Sequence, residues 1–175
     1  MTSAGPQSGP FRGLARRAAA SADTLPARAD RVARMRVAVL NGVNLDALDK
    51  RDPAIYGGLG LAELESQIYA WSKVLECTTR CRQTNHEGQF VDWCHDALDW
   101  AGGVIVNPGA WSHYSYAIRD AIELFKVPVV EVHLSNIEER EEWRRHSVIA
   151  DLAAKRILGK GPEGYKEALE WLAKQ

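Results

Sequence analysis

From residue 36 onward, short apolar runs alternate with stretches of helical periodicity. VAVLN (37–41) predicts a buried strand, and NGVN (41–44) supplies turn chemistry after it. Leu61, Leu64, Ile68, Trp71 and Leu75 recur at i, i+3 and i+7 and mark one face of a helix. A strand near 77–83 and a helix over 89–100 come next. GVIVN (103–107) predicts another buried strand, closed by Pro108-Gly109, and a helix over 113–125 follows. VPVVEVHL (127–134) is a strand whose Pro128 stands near its start, where a missing N–H is tolerated. Residues 138–147 read as a short helix with glutamates early and arginines late, the order the helix dipole favours. A weak strand at 156–158 and a helix over 162–174 end the chain.

Strands alternating with helices predict a doubly wound α/β domain, a parallel sheet with helices on both faces. Five strands suit the flavodoxin-like order. In such folds ligands bind outside the carboxyl ends of the strands. Those ends are polar here: NGVN (41–44), NPGAWSH (107–113) and EVHLSN (131–136). Asn44, Asn107, His113, His133 and Ser135 are therefore expected to converge on one cleft. Asn and Gly also collect at strand ends as turn formers. That accounts for Asn41, Gly42 and Gly109, and poorly for histidines on adjacent strand ends. Arg119, Asp120, Arg140, Arg144 and Arg145 add charged options. A solvated helix end explains Arg145 and Arg140 better than it explains Arg144.

Composition narrows the class. With 175 residues, 46% of them hydrophobic and 26% charged, the chain suits one domain with a sizeable core. A net charge of −1 implies no general attraction to nucleic acid or to an anionic membrane. The charge is uneven: residues 1–34 hold six arginines and two aspartates, and the rest of the chain is acidic. That first segment lacks an apolar run long enough for a signal peptide or a membrane helix. Its Arg-rich, acid-poor make-up fits an organelle transit peptide. It fits better a disordered extension or a start placed too far upstream, since Met35 directly precedes the first strand. The domain is expected over 35–175. Cys77, Cys81 and Cys94 form neither a disulfide framework nor a zinc pattern, as expected for a reducing cytoplasm. No GxGxxG or P-loop follows the first strand, so a nucleotide or flavin phosphate is not expected.

The loop RDPAIYGG (51–58) carries Tyr56 with Arg51 five residues before it. A solvated turn needs no aromatic ring, and a guanidinium makes a phenol more acidic. Either Tyr56 is an activated phenol on a lid or it is an apolar latch.

VLNGVNLDALDKRDPAIYGG, RQTNHEGQFVDW, NPGAWSHYSYAIRDAI and EVHLSNIEEREEWRRHS, in that order, resemble the signatures of type II 3-dehydroquinate dehydratases. The resemblance spans 36–172. It implies a flavodoxin-like fold, no metal and no cofactor, a small-molecule substrate, and homo-oligomers that are trimers or dodecamers. The implied reaction is anti elimination of water from 3-dehydroquinate through an enolate, in the shikimate or quinate route to aromatic amino acids. It further implies that Tyr56 is the base, Arg51 its cation, and Asn44 the holder of a water at the enolate oxygen. His133 is then the general acid, positioned by Asn107, with Glu131 on the same strand face orienting its ring. Leu134 and Ser135 would bind the carboxylate, and His113 and Arg144 the ring hydroxyls. Asp120 would reach the site of a neighbouring subunit.

The chain also departs from that pattern. Val43 replaces a proline, Asp49 a glycine and Asp52 a glutamate, which bears on the lid. Tyr114 and Tyr116 stand where the family has small or β-branched residues; pointing inward they would reshape the cleft, outward they would not. Ala150 and Asp151 replace serine-proline. Lys155 and Arg156 place charge on a strand that is apolar or glycine in the family, which blunts edge pairing and puts the usual subunit packing in question. Two other readings follow: the same chemistry on an amino-dehydroquinate in secondary metabolism, favoured by inward tyrosines, or a flavodoxin-like scaffold without turnover.

Overall fold

The computed structural model describes residues 34–53 and 58–175. The expectations for residues 1–33, and for Tyr56, lie outside the described residues. Five strands, β1 (Arg36–Asn41), β2 (Thr78–Gln83), β3 (Gly103–Asn107), β4 (Val129–His133) and β5 (Lys155–Leu158), form one parallel sheet in the order β2-β1-β3-β4-β5. This is the predicted flavodoxin-like arrangement. The helices are α1 (Leu61–Val74), α2 (Glu87–Leu98), α3 (Tyr116–Glu123), the single turn α4 (Glu142–Arg145) and α5 (Glu163–Leu172).

Strict alternation along the central strands divides the core in two. Val37, Val39, Ile105, Val130, Val132 and Ile157 pack against α1 and α5, together with Leu64, Ile68, Leu169 and Leu172. Ala38, Leu40, Val104, Val106 and Val129 pack against α2 and α3, together with Phe90, Cys94, Ile118 and Ile122. Both faces of β3 and β4 are covered, which is why their sequences are nearly continuous apolar runs. Cys77 and Cys94 are buried and Cys81 half-buried, all as free thiols. Burial pushes the thiols of Cys81 and Cys94 up to about 12.

The elements differ from the pattern-based reading in three places. After β1 the chain forms 3-10 turns over Leu45–Lys50 rather than an open turn. Leu45 and Leu48, three apart and so on one side of those turns, are buried in the first core layer and anchor the segment. The helix expected over 113–125 begins only at Tyr116, because Ser115 caps it by accepting from the Ile118 amide at 3.1 Å. Gly109–His113 is instead a separate 3-10 turn. The helix expected over 138–147 is broken into a turn at Ile137–Glu139 and α4. Asn136 caps the first piece by accepting from the Glu138 amide at 3.2 Å.

The charges on β5 are taken up inside the chain rather than left to guard an open edge. Lys155 Nζ lies 2.9 Å from Glu167 Oε1 on α5, and Lys160 holds the other oxygen of Glu167. Arg156 turns to the opposite face and reaches Glu131 on β4.

Candidate active site

The carboxyl ends of β1, β3 and β4 surround an open cavity. Asn44, Arg51, Asn107, His113, His133, Leu134, Ser135 and Arg144 line it, joined by Val43, Leu45, Gly109, Ala110, Ile137 and Arg140. Eight of the predicted site residues are thus brought together. Arg140, read from sequence as a solvated helix end, belongs to the lining as well.

Two glycines let the walls approach this closely. A Cβ on Gly42 would fall 2.3 Å from the Pro108 carbonyl oxygen, so only glycine lets the end of β1 lie against the turn after β3. Gly109 has φ +65°, and a Cβ there would lie 2.7 Å from the Val43 carbonyl oxygen. Between them Asn44 adopts a left-handed conformation with φ 64°, which Asn tolerates better than most residues. Its amide donates to Asn85 Oδ1 at 2.8 Å, and Asn85 Nδ2 donates to Asp46 at 2.8 Å. Gln83 Nε2, at the end of β2, reaches Asn85 Oδ1 at 3.1 Å and the Gly42 carbonyl at 3.2 Å. Asn85 and Gln83 were not singled out from sequence, although RQTN straddles the end of a predicted strand.

Asn107 is held from behind. Its Nδ2 donates to Tyr165 Oη at 2.9 Å, and Tyr165 donates to Asn41 Oδ1 at 2.7 Å. Asn41 and Asn107 are register partners on β1 and β3, so one phenol from α5 ties both strand ends together. Burial, only partly offset by the bond from Asn107, raises the pKa of Tyr165 far above its ordinary 10 and keeps it a neutral donor.

Glu131 and His133 are two apart on β4, so both side chains leave the same face. His133 Nε2 donates to Glu131 Oε1 at 2.9 Å, with both residues buried. Ser147 Oγ donates to the same oxygen at 2.5 Å, and Arg156 Nε donates to Oε2 at 2.7 Å. Burial alone would raise Glu131, but the hydrogen bond and charge of His133, the Ser147 hydroxyl and the Arg156 cation outweigh it. The carboxyl therefore sits below its usual range and is anionic. With Nε2 tethered, Nδ1 is the nitrogen left to serve the cleft.

His113 Nδ1 donates to the His146 carbonyl at 2.8 Å, leaving Nε2 for the cavity. Its ring stacks 6.4 Å from that of His133 and meets Trp143 edge-on at 5.5 Å. Desolvation, reinforced by the neighbouring His133 ring and the Arg144 cation, lowers its pKa below 6.5 despite the His146 carbonyl. His113 is therefore a neutral ring that can accept a hydrogen bond. The Arg144 guanidinium lies 4.0 Å over the Trp143 ring, and its Nε is 3.1 Å from Glu141. Held this way, Arg144 lines the cleft with a guanidinium whose N–H groups can donate.

Tyr114 and Tyr116 do not line the cavity; they are 59% and 67% exposed. The Ser115 cap starts α3 with Tyr116 exposed, Tyr114 is exposed just before the cap, and neither ring reshapes the space beside His113. Asp120 is exposed on the same helix, away from this chain's own cavity.

Chemically the lining is one-sided. Among the described residues it holds Arg51, Arg140, Arg144 and two imidazoles but no carboxylate. Such a field favours a small anion, and the amides and imidazoles suit hydroxyl and carbonyl groups. Glu131 is withdrawn behind His133, and Glu141 pairs with Arg140 and Arg144 from outside the lining.

The Dehydroquinase class II family model matches residues 35–173. The chain is 48% identical to a 3-dehydroquinate dehydratase of Deinococcus radiodurans over 136 residues, covering 77% of this chain and 95% of that one. It is 45% identical to one from Bacillus subtilis over 137 residues, covering 78% and 93%. Its fold is similar to the crystal structure of a type II dehydroquinase from Propionibacterium acnes, with a TM-score of 0.78 and 41% identity, covering 81% and 99% of the two chains. With a family model matching residues 35–173 and relatives 45–48% identical over more than three quarters of its length, the chain belongs to the class II dehydroquinase family.

Proposed function

We propose that this protein is a 3-dehydroquinate dehydratase, a hydro-lyase that eliminates water from a cyclic hydroxy-ketone through an enolate. The observation that carries the reading is a cleft lined by cations, with a buried carboxylate–imidazole pair at its floor.

Elimination needs a base for a proton alpha to the ketone, stabilisation of the enolate, and an acid for the departing hydroxyl. Tyr56 is the proposed base. An unassisted phenolate at pH 7 lies about three pH units, roughly 4 kcal/mol, uphill. A nearby guanidinium reduces that cost, and Arg51 already lines the cleft. The C–H pair becomes the enolate, and Asn44 holds a water against the enolate oxygen. Collapse of the enolate forms the C=C bond and breaks the C–O bond, while His133 gives its proton to the hydroxyl, which departs as water. Glu131 orients the imidazole and Asn107 braces it. Leu134 and Ser135 receive the substrate carboxylate, neutral His113 accepts from a ring hydroxyl, and Arg144 donates to another.

Asp120 faces away from its own cleft on α3, beside the exposed Tyr116, Ala117 and Glu123. This supports completion of each site by a neighbouring copy, in a trimer or dodecamer, which light scattering after size exclusion measures. The free thiols support a reducing compartment such as the cytoplasm.

The test is the ultraviolet absorbance of the conjugated enone product. Wild type should generate it, and Tyr56→Phe should lower kcat by about 10²–10⁴-fold, the usual worth of a positioned base, without changing the melting temperature. No enone from the wild type would refute the assignment.

A further inference from the structure

Arg156 stands on β5 where the family resemblance gave an apolar residue or glycine, and the parallel register sets it directly opposite Glu131 on β4. Adjacent strand residues face opposite ways, so Lys155 goes to α5 while Arg156 shares the face of Glu131 and His133. Its Nε donates to Glu131 Oε2 at 2.7 Å, the oxygen that neither His133 nor Ser147 uses. Its Nη1 lies 3.8 Å from Glu138, and its Nη2 is buried with no hydrogen-bond partner among the described residues. A buried donor left unmatched costs stability. This guanidinium is therefore placed for its bond to Glu131 rather than for its own solvation.

The consequence falls on the imidazole. A buried carboxylate facing only a histidine holds the imidazolium proton tightly. A carboxylate already matched by a guanidinium holds it less tightly, because the imidazolium then meets a neutral ion pair instead of a bare anion. The other charged or titratable groups around the pair are His113, Arg51, Arg140 and Arg144 in the cavity lining and Glu138 after β4. Oε2 itself is occupied by Arg156.

We propose that Arg156 is a positioning residue for the general acid: it locks Glu131 in place and weakens its hold on the His133 proton, making His133 a stronger donor to the departing hydroxyl. This deepens the dehydratase reading and rests on it.

The experiment compares pH profiles of kcat and KM by enone absorbance for wild type, Arg156→Met and Arg156→Lys. Without the cation, His133 keeps its proton to higher pH. The alkaline edge of the kcat profile should therefore move up by about one pH unit in Arg156→Met. A weaker acid should also lower kcat near neutrality by about tenfold with KM nearly unchanged. Arg156→Lys, which keeps the charge, should hold the edge near its wild-type position. If Arg156→Met does not fold, Arg156→Gln removes the charge while keeping a donor and carries the same expectation. An active wild type whose alkaline edge does not move in the neutral variant would overturn the proposal, even if melting temperature and kcat both fell, because that is the signature of a packing role. A wild type that forms no enone would instead refute the dehydratase assignment, and the two failures are distinguishable.

Discussion

Replacing Tyr165 by phenylalanine removes one oxygen and leaves the ring where it packs. Tyr165 is fully buried, so no solvent stands ready to replace that oxygen. Two amides lose their partner. Asn107 Nδ2 no longer has its acceptor, and Asn41 Oδ1 no longer has its donor. Asn41 Nδ2 is already buried without a partner, so among the described residues that amide would be left with none. An orphaned buried polar group costs about 1–3 kcal/mol, and partial rotation of the amides brings the expected total for two to about 3 kcal/mol. At roughly 2–4 °C per kcal/mol for a chain of this size, the melting temperature should fall by about 6–12 °C. Thermal melts by circular dichroism at one fixed protein concentration measure this, since assembly would otherwise contribute to the difference. Enone turnover on the same samples should show a decline in kcat/KM, because Asn107 braces the cleft. A melting temperature within about 2 °C of wild type would refute the reasoning, since it corresponds to less than about 1 kcal/mol and would mean that the two amides find other partners.

Gly42→Ala should be strongly destabilising, at or beyond the upper end of the roughly 1–3 kcal/mol typical of overpacking, because the new methyl meets backbone at 2.3 Å. Gly88→Ala, in a helix with nothing within 4 Å of its Cβ, should instead gain about 0.5–1 kcal/mol; melts of the pair check both signs. His113 has a folded pKa depressed below 6.5, so the unfolded chain binds the proton more readily. Its contribution is complete above 6.5 and is lost as pH falls from there toward the folded value. Urea midpoints should therefore decline across that window in wild type and less steeply in His113→Gln.

Which parts were legible in the sequence follows from the range of the forces involved. The central strands announced themselves because a parallel strand covered on both faces must be largely apolar, as GVIV is before Asn107. The cleft could be placed because polar residues collect after the carboxyl ends of such strands, and Asn44, Asn107, His113, His133 and Ser135 do line one cavity. The support behind it was less visible. Ser147 and Tyr165 reach Glu131 and Asn107 across 16 and 58 residues, and nothing in their local sequence indicates the contact. Arg140 could not be assigned to the cleft from sequence because a charge near a helix end has the same local pattern whether it faces water or a cleft.

By itself the sequence determined the alternation of strands and helices, the parallel sheet, the polar strand ends and the family to which they belong. These are periodic or contiguous features, set by whether successive side chains meet core or solvent. The tertiary structure decided which side chains meet. The exposure of Tyr116 depends on where Ser115 caps α3. The bond from Arg156 to Glu131, 25 residues apart, depends on strand register. Register and cap phase are outcomes of packing the whole domain, and a shift of one residue would send every strand side chain to the opposite face.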